Sequence, residues 1–363
     1  MGECELIDCT TGMHPQRTVI EGNLLHDGGI YSKNYLGGSI FMAKQAESVV
    51  RGNAIWNTPR SCMTLNDGGM GGDEIYSNLM LNCNRETSDT GVIYTYNRLP
   101  LLSTTRTGEP SLIMQTRRIH SNFFFGNYGS GGGVDNDDGS SFYNETANVL
   151  YNLEVKHSTF TTGGHAKNTT NTLIVNDRGC DSGQGHYERF DNNTCVMGAS
   201  TGVWLNTPSL SSCDPNHPIS TLNRSVPTPE RSGNTYYLRN ASAWRYTCGG
   251  TRWNLTEAQA KGVDVGSVVL AMSDEKEAAA TYTAIARGLL GLKLDDDMAT
   301  AALHIDVPAS DAAIYYSDYN WIRTATSVKT ANPGAFLRCS FSGTSLSLLV
   351  NGVALAGQTG RGR

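Results

Sequence analysis

A chain of 363 residues can bury one large core or two domains, and no run of it approaches the ~18 consecutive apolar residues of a membrane span. A membrane protein is therefore not expected. With 28 Lys plus Arg against 34 Asp plus Glu, a net charge of -6 and no basic tract, the composition excludes nucleic acid as a partner; 40 glycines and only 17% charged residues favour a turn-rich β architecture over a helical one.

In chain order, the first signal is repetition. Short apolar runs follow an asparagine in "EGNLLHD" (Asn23), "RGNAIWN" (Asn53), "YSNLMLN" (Asn78), "HSNFFFGN" (Asn122), "TANVLYN" (Asn148), "TTNTLIVN" (Asn171) and "FDNNTCVM" (Asn193), at spacings of 30, 25, 44, 26, 23 and 22. Periods in the low twenties, with loop insertions as outliers, are what a solenoid of short strands and turns produces. The asparagine suits the bend before a strand, because it tolerates the left-handed region and hydrogen-bonds neighbouring amides as coils stack. A parallel β-helix is expected over residues 1–265. After residue 250 the pattern changes: "DEKEAAATYTAIARGLLG" has helical apolar spacing and a terminating Gly288, and predicts a helical cap or linker over 266–305. From 306 to 363, "NWIRTATSVKTANPGAFLRCSFSGTSLSLLVNG" returns to alternating strands, the start of a β-sandwich with too few strands to close.

Six Asn-x-Ser/Thr sequons, at Asn144, Asn168, Asn192, Asn223, Asn240 and Asn254, suggest secretion and glycosylation. Nine cysteines form no CxxC or zinc spacing; Cys180 with Cys195 and Cys213 with Cys248 are possible disulfides among others. Residues 1 to 20 lack the apolar stretch of a signal peptide, so the chain is expected to be a piece truncated at its start.

Equivalent positions of stacked coils form columns about 4.8 Å apart per coil, along which a polymer can lie. Asp67 in "NDGGMGG", Asp89 in "SDTG" and Asp137 in "VDNDDGSS" occur in successive motifs, each with a glycine within two residues, at separations of 22 and 48. Adjacent carboxylates repel, so one is held protonated while the other stays ionised, the division of labour that glycoside hydrolysis needs. Strand alternation sends Asp135 and Asp137 to one face and Asn136 and Asp138 to the other. The glycines of "GGGVDNDDGSS" would let a sugar ring approach the backbone; the same residues could instead end a coil as an ordinary turn, or hold a structural calcium ion. Arg60 and Arg98 are candidates to clamp a substrate carboxylate or hydroxyl, and Glu86 could tune Asp89. Lys156, His157 and His165 are possible proton carriers. Tyr94 and Tyr96 are possible platforms for sugar rings. Each of these has an ordinary structural alternative.

The succession "EGNLLHDGGIYSK", "WNTPRSCMTLNDGGMGG", "NRETSDTGVIYTYNR", "VDNDDGSSFYNET" and "WNLTEAQAKGVDVGS" resembles right-handed parallel β-helix proteins of the pectate-lyase-like superfold, over roughly residues 15 to 285. The DTG and DDGSS segments are more distantly similar to paired motifs of β-helix glycoside hydrolases acting on plant or algal polysaccharides. There an aspartate in each segment belongs to the catalytic pair, which implies Asp89 and Asp137 here, with Asp138 in support. The tail is weakly similar to β-sandwich modules of carbohydrate esterases. The expectation is an all-β, secreted, carbohydrate-active monomer that hydrolyses a polysaccharide without a cofactor. A polysaccharide lyase or uronate epimerase, using Lys156, Arg98 or a histidine as base and calcium held by the aspartates, is the second reading. A non-catalytic carbohydrate-binding or cell-wall solenoid is the third.

Overall fold

The computed structural model describes residues 14–31, 37–67, 69–87, 90–97, 103–104, 110–111, 115–127, 132–153, 159–161, 166–176, 180, 188–197, 205–207, 230–248, 251–272 and 274–291, with four short strands beyond residue 314. Three parallel sheets carry the architecture. The first runs Val19–Glu21, Val49–Arg51, Glu74–Tyr76, Arg117–His120, Tyr143–Thr146, Lys167–Thr170, Arg189–Asp191 and Glu230–Ser232. The second begins with Leu24–His26, Ala54–Trp56, Leu79–Cys83 and Phe123–Asn127 and ends with Thr235–Leu238 and Val268–Ala271. The third contains Ile40–Met42, Met63–Leu65, Ile93–Thr95, Val134–Asn136 and Thr159–Thr161. Through the first five coils the chain visits the sheets in turn, as a parallel β-solenoid does; each strand pairs in parallel with its equivalent one coil away.

The bend between the first and second sheets takes two residues. The first is left-handed in every coil, at Gly22, Gly52, Ser77, Ser121, Ala147, Asn171, Asn192 and Gly233. The second is a buried ladder. Asn122 Nδ2 donates to the Ile75 carbonyl at 2.9 Å and to Asn148 Oδ1 at 3.0 Å, while its own Oδ1 accepts the Asn78 backbone N–H and Nδ2, each at 3.0 Å. The backbone N–H groups of Asn23, Asn53, Asn122, Thr172 and Asn193 likewise donate to the side-chain oxygens of Asn53, Asn78, Asn148, Asn193 and Asn234. Asn171 departs from the expectation: it takes the left-handed position, which asparagine tolerates, and Thr172 stands in the ladder, its Oγ1 accepting from Asn148 N at 3.4 Å. Beyond Asn234 a serine takes the ladder position: Ser267 Oγ accepts the Asn234 N–H at 2.7 Å, while Asn234 Nδ2 donates to Asp264 Oδ1 at 2.9 Å.

Replacing Asn122 with alanine removes partners from the buried Asn78 N–H and from Asn148 Oδ1. Asn148 Oδ1 keeps the Asn122 backbone N–H, so the Asn78 N–H is the group left without its acceptor; such an orphaned buried donor costs about 1–3 kcal/mol, and we expect a loss in that range, read from the urea midpoint at unchanged slope. A loss below about 1 kcal/mol would show that water fills the gap.

The core is apolar along the second sheet, where Ile55, Met80, Phe124, Leu150, Ile174 and Cys195 stack. Along the first sheet the inward column turns polar: Ile75 and Ile119 are followed in register by Glu145 and Thr169. Beside it, Arg117 donates to Asp73 Oδ2 at 2.8 Å and to the Tyr143 hydroxyl at 2.9 Å, and Asp73 also accepts from Gln45 Nε2 and Ser48 N. Burial pushes the Asp73 carboxyl up, against the Arg117 charge and the donated hydrogen bonds. Burial likewise opposes the Arg117 cation, but Tyr143 and Asp73 more than offset it. Further along, Lys167 meets Glu188 at 3.1 Å, and burial lowers the lysine below its ordinary value. Glycines make room for these contacts. A Cβ at Gly69 would sit 1.8 Å from Arg117 Nη2, and one at Gly71 would sit 1.9 Å from the Gln115 carbonyl oxygen.

Among the described residues, the disulfides Cys62–Cys83 and Cys180–Cys195 join neighbouring segments, with Cα separations of 5.4 and 6.1 Å. Two sequon asparagines act as caps: Asn254 forms a capping box with Glu257, and Asn240 accepts from Ser242. Asn144 and Asn168 are register neighbours in the first sheet.

The helix Glu275–Leu289, expected as an end cap, lies against the second sheet's outward side: Tyr282, Ile285, Ala286 and Leu289 cover Val149, Leu173 and Val196. The sheet's outward residues there are apolar and require such a cover. Residues 253–263 contribute to the interior instead, where Trp253, Ala258 of the short helix Leu255–Ala260 and Val263 join the core. The chain divides into two compact units, Met1–Asp296 and Asp297–Arg363. In the second unit, Tyr315–Tyr316 pairs antiparallel with Leu337–Arg338, and Ile322–Arg323 with Val328–Lys329.

Candidate functional site

The third sheet sets out the site. Ile93 and Val134 join the core, and Thr95 and Asn136 meet in the interior at 3.0 Å. The residues between them, Tyr94 and Asp135, therefore project from the opposite side. In register this outward column reads Phe41, Thr64, Tyr94 and Asp135. Phe41 is exposed, whereas Thr64, Tyr94 and Asp135 are buried.

At the exit of the strand Val134–Asn136, Asp137 opens a turn. Its N–H donates to the Thr95 carbonyl at 2.8 Å, its carbonyl accepts from Ser140 N at 3.0 Å, and Gly139 takes φ 75°. The turn that ends the coil thus does form, and Ser140 Oγ and Ser141 Oγ anchor it through Thr95 Oγ1 and the Gly139 carbonyl. The carboxylate of Asp137 is half-buried and accepts from the Tyr94 hydroxyl at 2.7 Å. The Arg60 guanidinium lies 5.1 Å from the centroid of the Tyr94 ring. Asp138, one residue on, is exposed.

The other candidates distribute around this centre. The bonds Tyr96 N to Leu65 O, Asp137 N to Thr95 O and Asn97 N to Asp138 O align Asn66, Tyr96 and Asp137 in one column, and Asp67, Asn97 and Asp138 in the next. Asp67 is thus two coils, about 10 Å, from the position of Asp138, and it is aligned with Asp138 rather than with Asp137. Tyr96 is half-buried, its ring 5.7 Å from that of Tyr94. Glu86 is exposed on the entry side of the sheet, where its N–H reaches the Pro59 carbonyl. Asp89, Arg98, Lys156, His157 and His165 lie outside the described residues. In chain order Asp89 leads into the strand Ile93–Thr95, whereas Asp137 leaves the strand paired with it.

Tyr94 cannot serve as a sugar platform, since it is 3% exposed. Its phenol is pushed well above the ordinary value by burial first, then by the hydrogen bond to Asp137 and the charges of Asp137 and Asp135, with Arg60 acting the other way. It is a neutral donor at physiological pH. Because the folded phenol holds its proton beyond the unfolded value of about 10, its contribution is present below that pH and lost as pH rises above it. Stability should fall above about pH 10 with a component of up to about 1.4 kcal/mol per pH unit, and Tyr94→Phe should remove that component in alkaline urea titrations. An unchanged slope would show that the phenol ionises as it does in the unfolded chain.

The pairing of Tyr94 with Asp137 was not visible in the sequence. The signal is the register of "VIYTY" on "GVDND", which needs the inserted loop between them to be set aside. Among the described residues, no three of His, Cys, Asp or Glu converge as a metal site would require. Among these residues, too, no helix is long and apolar enough to cross a membrane. Comparison with known proteins gave no match to any family model, curated protein or solved structure.

Proposed function

We propose that the chain is a secreted, carbohydrate-active, right-handed β-helix of the pectate-lyase-like superfold that hydrolyses glycosidic bonds of a polysaccharide. Asp137 is one member of the catalytic pair, Asp89 is the other, and Asp138 supports them. The observation that carries this reading is the oriented, half-buried carboxylate of Asp137, hydrogen-bonded by Tyr94 beside the buried Asp135. Environments that distinguish neighbouring carboxyl groups are what acid and base roles in glycoside hydrolysis need. The two disulfides support an oxidising compartment.

The test is incubation of the purified protein with a panel of plant and algal polysaccharides. New reducing ends without an unsaturated-uronate chromophore support hydrolysis. The chromophore would replace the proposal with a lyase, and retention of polymer without any product would replace it with a binding solenoid.

A further inference from the structure

We propose that Tyr94, held beneath Arg60, is the positioning residue that fixes the orientation and charge of the Asp137 carboxylate. The inference deepens the polysaccharide reading of this site and rests on it for its functional meaning. The turn holds the backbone of Asp137 through Thr95 O and Ser140 N. The Tyr94 hydroxyl holds its carboxyl group with a 2.7 Å hydrogen bond to Oδ2. Tyr94 itself has little room to move: its ring is buried, sits mid-strand between paired neighbours, and has the Arg60 guanidinium 5.1 Å from its centroid.

Charged groups stand around the pair. Asp135 stands next to Tyr94 in register, and Arg60 lies over the ring. Asp138 follows in the turn and is exposed. The negative charge of Asp135 favours a protonated Asp137, whereas a donated hydrogen bond favours the carboxylate. Tyr94 is a donor whose own proton stays in place, since burial and both aspartates hold its phenol high. It supplies the bond without competing for the proton.

Carboxyl labelling with a water-soluble carbodiimide and an amine, followed across the acid pH range by peptide mass spectrometry, reads the protonation of Asp137 without any substrate. Tyr94→Phe should move the pH midpoint of Asp137 labelling upward by roughly one unit, while exposed Asp138 in the same peptide stays where it is. Arg60→Lys, which keeps the charge but gives up the planar group over the ring, should move it the same way by less, and serves as the readout should Tyr94→Phe fail to fold. An unmoved Asp137 midpoint in a folded variant, or equal shifts at Asp137 and Asp138, overturns the proposal. A protein that yields no product from any polysaccharide defeats the hydrolase reading alone, because the labelling midpoints are measured independently of turnover.

Discussion

Asp73→Ala should destabilise the solenoid by about 3–5 kcal/mol, the cost of leaving a buried ionic partner uncompensated. Asp73 is fully buried and takes hydrogen bonds from Arg117, Gln45 and Ser48; Arg117 is 2% exposed and has no route to water. Removing the carboxylate strands the guanidinium against Tyr143 and the core. Against a typical total stability of about 5–15 kcal/mol, that loss is large enough to appear as a populated unfolded fraction at 37 °C. The double variant Asp73→Leu with Arg117→Met should recover most of the loss, because two apolar groups need no partner and a replaced buried pair is often neutral. Gly69→Ala should damage the same network from outside, since its Cβ would occupy the space of Arg117 Nη2. Urea midpoints at constant slope check all three. A stable Asp73→Ala would mean that Arg117 reaches solvent in the folded chain.

The second large effect concerns turnover. If Asp89 and Asp137 act as one pair, Asp137→Asn and Asp89→Asn should each lower kcat by about 10²–10⁴, the range that a positioned acid or base supplies. Asparagine keeps the shape and its carbonyl still accepts from Tyr94, so the melting temperature of Asp137→Asn should stay near that of the wild type. The double variant should be little worse than the poorer single one, because residues that act as a unit are not additive. Tm and kcat measured together separate the alternatives. A purely structural turn predicts a lower Tm with turnover per folded molecule unchanged, and full activity in a well-folded Asp89→Asn would falsify the pairing.

The repeat was legible because the asparagine has two jobs that no other side chain combines as well, accepting from the coil on one side and donating to the coil on the other, so it recurs wherever coils stack. The same logic hid the exception at Asn171, where the motif slips by one residue and a threonine hydroxyl suffices as the acceptor. The helical segment was legible from its apolar spacing, but where it lies was not. An amphipathic helix can close an end or cover a flank, and only the apolar outward residues of the second sheet, brought together by stacking, decide for the flank.

The sequence by itself determined the periodic β architecture, the bend that each asparagine serves, and the concentration of aspartates in one turn, because these depend on residues near one another in the chain or repeated along it. The tertiary structure alone decided that Arg117, 44 residues from Asp73, is its buried partner, and that Tyr94, 43 residues from Asp137, holds its carboxylate. Both contacts join one coil to the next across a loop whose length sets the separation in sequence. Stacking at a rise of about 4.8 Å per coil brings such residues together whatever that separation, so proximity in a solenoid follows register rather than distance along the chain.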